Sequence, residues 1–182
     1  MSDIKKRIHE ASVAFNQGYK ESALISLLIA IAATARKRYP KAQYGDRISF
    51  TKFIKDEILR GNFLGPNMKV CLSLVWMGNR TPIEEIIYDV RCSMVHEAVL
   101  HPQVVYDFNQ DPNYFVLRID EKGRFVFQDS LLDYILRCLH NVPENAQELQ
   151  KMPFKKNTGG SLAPAKPEYG ITVSNSIRIL LN

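Results

Sequence analysis

Apolar residues recur at helical spacing along five stretches of the chain. These stretches are 4–15, 21–38, 49–60, 83–98 and 130–141, and in each of them apolar positions three or four apart alternate with polar ones. Such spacing is typical of helices that bury one face. The second stretch is apolar on more than one face, which indicates neighbours on several sides, from a bundle or from a second copy of the chain. The pattern predicts a helical bundle.

The fourth stretch begins with a strong start signal, Thr81-Pro82-Ile83-Glu84. The Thr81 hydroxyl can cap a helix, Pro82 suits the first helical position, and Glu84 completes a capping box. We therefore expect a helix that starts here and runs to about Ala98.

Strand-like alternation appears before the last helix, within 114–127. A turn at Glu121-Lys122-Gly123 separates the two runs, so a β-hairpin is expected there. The segment 62–79 fits a strand or a buried helix equally well and receives no assignment.

The composition changes after residue 142, where Pro, Gly and Lys become frequent. We therefore predict one helical domain over 1–142 and an irregular arm over 143–182. The apolar end of the arm, 171–181, suits an edge strand added to this subunit or to a partner. The expected fold is mainly α: an up-and-down helical bundle with a small β-hairpin insertion before the last helix and an irregular C-terminal arm.

Composition narrows the class of protein. The 182 residues are 46% hydrophobic and 24% charged, which is ordinary for one globular domain and excludes a disordered, collagenous or membrane-bundle chain. The formal net charge of +5 is compatible with a polyanionic partner.

Cys71, Cys92 and Cys138 form no CxxC pair, so neither a disulfide framework nor a zinc site is expected. Without a signal peptide or a membrane-length apolar run, a cytoplasmic protein with no membrane contact is expected.

Several enzyme classes lack their required residues. The chain has no phosphate-cradling glycine loop, no GxSxG elbow and no HExxH pair, and no metal or other cofactor is expected. Among the histidines at 9, 96, 101 and 140, only His96 is preceded by an arginine with four to six residues between the two, as Arg91-Cys92-Ser93-Met94-Val95-His96. A purely structural explanation remains open, in which His96 complements a helix C-terminus and Arg91 pairs with a neighbouring carboxylate.

The string from Tyr88 to Glu97, near the end of a long helix in a bundle, resembles the HEPN family. These small α-helical domains carry an arginine separated by four to six residues from a histidine. The resemblance covers about residues 4–141. It implies a metal-independent endoribonuclease, often a toxin or a phage-defence effector, that dimerises to form one composite site. On that pattern Arg91 and His96 are the catalytic pair, and Ser93 and Glu97 are supporting groups.

The chemistry suits these residue types. Imidazole can take a proton from a ribose 2′-hydroxyl or return one to the 5′-oxygen, which leaves a 2′,3′-cyclic phosphate. Arginine can stabilise the charge that develops on the phosphate. On an ideal helix Arg91 and His96 point about 140° apart, so they meet within one subunit only if the helix loosens, or else across a homodimer.

Alternatives remain open on the sequence alone. Cys92 follows Arg91, where active family members often have a polar residue, so a catalytically inactive HEPN-like module that binds RNA, a nucleotide or a protein partner is the second hypothesis. An antitoxin or a regulatory protein is a further partner that the resemblance implies. The third hypothesis is a helical interaction protein in which Arg91 and His96 are incidental. Burial of Arg91 or His96 inside one subunit would count against catalysis.

Overall fold

A computed structural model describes residues 3–59, 70–71, 73–107, 118–149 and 180–181. It is mainly helical, as the sequence predicts. The α-helices of the described residues are α1 (Asp3–Asn16), α2 (Lys20–Arg38), α3 (Lys41–Tyr44), α4 (Asp46–Phe53), α5 (Ile83–Cys92), α6 (Asp129–Asn141) and α7 (Pro143–Leu149). Two of them continue as wider π-helical turns, α4 into the first π-turn (Ile54–Leu59) and α5 into the second π-turn (Ser93–Glu97).

Helix α2 is the centre of the core. It contacts α1, α4, α5, α6 and α7, and it is buried on all sides over most of its length. Its small residues, such as Ala23 and Ala30, let neighbouring helices approach closely, while Leu24, Leu28 and Ile31 fill the space between them. The apolar surface that is too wide for one helix face is therefore explained by neighbours within the same chain.

Among the described residues, short strands pair in three small sheets. The strands are β1 (Val70–Cys71), β2 (Ser73–Trp76), β3 (Asn79–Pro82), β4 (Val104–Asp107), β5 (Arg118–Ile119), β6 (Phe125–Gln128) and β7 (Leu180–Leu181). Strand β2 pairs with β3 and β1 pairs with β7, both antiparallel. In the third sheet β6 is central, antiparallel to β5 and parallel to β4.

The observed strands decide between the structures that the sequence allowed for two segments. Residues 73–76 form a strand rather than a helix, whereas residues 60–69 and 72 lie outside the described residues. The predicted hairpin before the last helix is present as β5 and β6, with residues 114–117 outside the described residues. The end of the chain pairs with β1 of the same subunit, which is one of the two options that its apolar pattern allowed.

Helix α5 does not start with the capping box at Thr81 that the sequence predicts. Thr81 belongs to β3, where it lies opposite Leu74, and its hydroxyl donates to the carbonyl of Asn79 at 3.3 Å. Helix α5 begins only at Ile83, without a side-chain cap. The capping-box prediction is wrong because strand pairing to β2 holds the backbone of Thr81 and Pro82 in an extended conformation.

The packed helices continue past residue 142, where the sequence placed the end of the domain. Helix α7 packs on α2 through Asn145, whose amide nitrogen donates to Thr34 Oγ1 at 3.1 Å and to the carbonyl of Leu139 at 2.9 Å. Asn145 and Leu149 are buried. The proposed arm therefore begins, in this structure, with a helix of the core.

Over the described residues, no helix combines the length and the apolar character that a membrane span requires.

Candidate functional site

The last turn of α5 places Arg91 in the interior of the subunit. Its side chain is only 8% exposed, and its Nη1 donates to Oδ2 of Asp46 at 2.8 Å. Asp46 is the first residue of α4 and lies 45 positions earlier in the chain. A buried guanidinium requires a hydrogen-bonded counter-charge, and Asp46 supplies it.

A second arginine binds the same carboxylate. Arg36, in the last turn of α2, donates to Oδ1 of Asp46 from Nε at 3.1 Å and from Nη2 at 2.7 Å. Each oxygen of Asp46 is thus bound by a different guanidinium. We call Arg36, Asp46 and Arg91 the two-arginine cluster.

The cluster changes the acidity of Asp46. Partial burial acts to raise the pKa of this carboxyl, but the hydrogen bond from Arg36 and the charges of Arg91 and Arg36 outweigh it and hold the pKa below its ordinary value. The carboxylate is therefore ionised at neutral pH.

Two aromatic rings also contact the Arg91 guanidinium. Its central carbon lies 5.8 Å from the ring centre of Phe50 and 5.6 Å from that of Tyr88. The two rings contact each other edge to face, with centres 5.6 Å apart. Cation–π contacts of this kind fix the guanidinium independently of Asp46.

His96 has a different environment. It lies in the second π-turn and is exposed to solvent. The next residues leave the helix, and Ala98 has a left-handed backbone with a φ of 56°. The helix therefore widens near His96, which is one of the two conditions under which Arg91 and His96 could meet, because a π-turn closes its hydrogen bond between residues five apart.

The loosened turn does not bring the predicted pair together. Arg91 points to Asp46 inside the subunit, whereas His96 is on the surface. The two supporting residues do meet, since the Ser93 hydroxyl donates to Oε2 of Glu97 at 3.3 Å. Sequence reasoning missed Asp46 and Arg36 and considered only carboxylates near Arg91 in the chain as its partner.

The remaining basic residues at the end of α2 are also paired. Arg38 binds Glu144 and Glu57, and Lys37 binds Glu148. Carboxylates from other elements thus balance the basic end of that helix. Over the described residues, lysines and arginines equal aspartates and glutamates in number, so the whole positive excess falls outside them. The described residues therefore carry no net formal charge.

Comparison with known proteins identifies the family. The model of the Rv1289 family matches residues 3–154, and the chain belongs to this family. The matched region includes α1 to α7 and therefore the two-arginine cluster and His96. No curated protein and no solved structure matches the chain.

Proposed function

We propose that the protein is a HEPN-like module that binds a phosphate-bearing ligand and does not cleave RNA. The observation that carries this proposal is the enclosure of Arg91, which is buried in one subunit and bonded to Asp46. An arginine in that position cannot stabilise a transition state on RNA without first leaving its partner.

The form of the ligand follows from the charges. Two guanidiniums converge on one carboxylate in the two-arginine cluster, which is an arrangement suited to an oxyanion. The cluster encloses one carboxylate, so it matches a single phosphate group rather than an RNA strand. Cys92, in the position after Arg91 where active HEPN ribonucleases often have a polar side chain, fits an inactive member.

A specific observation favours a second candidate, the metal-independent endoribonuclease. His96 is exposed on a π-turn, and such turns are frequent at functional sites. In this candidate a homodimer brings His96 of one subunit to RNA bound by the other, and the protein acts as a toxin or phage-defence effector with an antitoxin or regulatory partner. The ribonuclease candidate requires Arg91 to become accessible to RNA.

One assay separates the two candidates. Labelled single-stranded RNA and transfer RNA are incubated in excess EDTA with the wild type, His96→Ala and the control His9→Ala, which removes an exposed histidine of α1. Because both histidines are exposed, both variants are expected to fold normally.

We expect no cleavage by the wild type. EDTA-resistant cleavage that disappears in His96→Ala and persists in His9→Ala would overturn the proposal in favour of the ribonuclease. Cleavage that persists in both variants would overturn the proposal and would place the activity away from His96.

A further inference from the structure

Asp46 occupies the position between two guanidiniums that a phosphate group would fill. We infer that the Asp46 carboxylate is a displaceable internal occupant of an oxyanion site formed by Arg36 and Arg91, and that the terminal phosphate of a monoester takes its place. This inference rests on the proposed binding function and adds the regulation of the site and the charge class of its ligand.

The hydrogen-bond geometry supports the replacement. One oxygen of Asp46 accepts from Arg36 and the other accepts from Arg91, so the two guanidiniums are spaced for an anion with two adjacent oxygens. A phosphate presents the same pair of oxygens and further lone pairs. Arginine forks match carboxylate and phosphate equally well.

The charges favour the phosphate monoester. The two guanidiniums carry two positive charges, whereas Asp46 carries a single negative charge. A phosphate monoester carries about −1.5 to −2 at pH 7 and balances the pair more completely. A phosphodiester carries one negative charge and has no such advantage over Asp46.

The site keeps its shape when Asp46 leaves. Arg91 is held by Phe50 and Tyr88 as well as by Asp46. Arg36 is 46% exposed and lies on the solvent side of the cluster, which gives a ligand its approach. Arg91, the more deeply buried arginine, is thus already fixed in place. Arg36, the more exposed one, contacts the ligand first.

Asp46 has room to move. Its side chain is 23% exposed, so part of the carboxylate already borders solvent. A rotation of the Asp46 side chain toward solvent frees both arginines without any change in α4. The apparent affinity for phosphate is therefore the intrinsic affinity multiplied by the fraction of molecules in which Asp46 has left the site.

The test measures binding of inorganic phosphate, AMP and adenosine by isothermal titration calorimetry to four proteins. These are the wild type, Asp46→Asn, the double variant Asp46→Asn with Arg36→Gln, and the control Asp120→Asn. Asp120 is a matched control because it is also ion-paired, to Arg124 at 2.7 Å, in the turn between β5 and β6.

We expect Asp46→Asn to lower the Kd for phosphate about tenfold relative to the wild type and Asp120→Asn. The added Arg36→Gln change is expected to remove this gain, and adenosine is expected not to bind. Equal gains for phosphate and AMP identify a site for phosphate alone, and a larger gain for AMP identifies a nucleotide site.

A Kd for phosphate that is the same in Asp46→Asn and Asp120→Asn would overturn the inference. If Asp46→Asn does not fold, Arg36→Gln is compared with Arg137→Gln in the wild-type background. Arg137 is an exposed arginine that pairs with Asp133 within α6. Equal phosphate binding by these two variants would also overturn the inference. If the wild type binds phosphate and Asp46→Asn gains no affinity, the displacement inference fails while the proposed phosphate binding stands. If the wild type cleaves RNA, the proposed function fails whatever the titrations show.

Discussion

Nη1 of Arg91 lies 2.8 Å from Oδ2 of Asp46, which joins the last turn of α5 to the first residue of α4 across 45 positions of sequence. This contact decides where the Arg91 side chain points. It satisfies a buried positive charge, and it connects that charge through Asp46 to the more exposed Arg36. The cluster is therefore both a structural link and a candidate oxyanion site.

Asp46 is expected to make stability depend on pH in the acid range. The pKa of its carboxyl is lowered in the folded protein, while the unfolded value is about 3.9. Its contribution is therefore full above about pH 5 and is lost as the pH falls through the lower, folded pKa. Urea unfolding of the wild type and Asp46→Asn should differ by about 1–3 kcal/mol at pH 7, and by progressively less below about pH 4. A difference that does not change with pH would contradict this.

The ion pair itself should be measurable by a double-mutant cycle. Arg91→Met, Asp46→Asn and the double variant are expected to give a coupling of about 1–3 kcal/mol, since the Arg91 side chain is buried. The control cycle uses the surface pair Lys6 and Glu10, 3.9 Å apart, for which about 0.3–0.5 kcal/mol is expected. Equal couplings in the two cycles would show that Arg91 is not held by Asp46 in solution.

Helix α7 is expected to stabilise the core through Asn145. Asn145→Ala removes the bonds to Thr34 and to the Leu139 carbonyl, and we expect a loss of about 1–3 kcal/mol in the free energy of unfolding. Gln147→Ala, on the exposed side of the same helix, should change it by less than about 0.5 kcal/mol. Chemical denaturation of both variants tests this, and similar losses would mean that α7 does not pack on α2.

The turn between β2 and β3 offers a stabilising substitution. Met77 and Gly78 have φ values of 48° and 80°, a combination that favours Asn-Gly. Met77 is also exposed. Met77→Asn is expected to raise stability by about 0.5 kcal/mol, and Gly78→Ala to lower it by about 1 kcal/mol. Thermal unfolding measures both, and a destabilising Met77→Asn would show that the methionine contacts matter more than the backbone conformation.

Much of the helical structure could be predicted because its signal is local. The 3.6-residue spacing of apolar residues places α1, α2 and α6 close to their observed bounds. The hairpin of β5 and β6 carries its own turn residues. The Thr81 signal is equally local and is wrong, because pairing with Leu74 overrides it.

The candidate site was less accessible to sequence reasoning. The spacing of Arg91 and His96 identifies both residues, but not the direction in which either side chain points. The sequence by itself determined the helices and the choice of Arg91 and His96, since periodicity and spacing are properties of neighbouring residues. Only the tertiary structure decided that Arg91 is buried against Asp46 and Arg36 while His96 faces solvent, because these contacts join α2, α4 and α5, and their packing depends on the whole core.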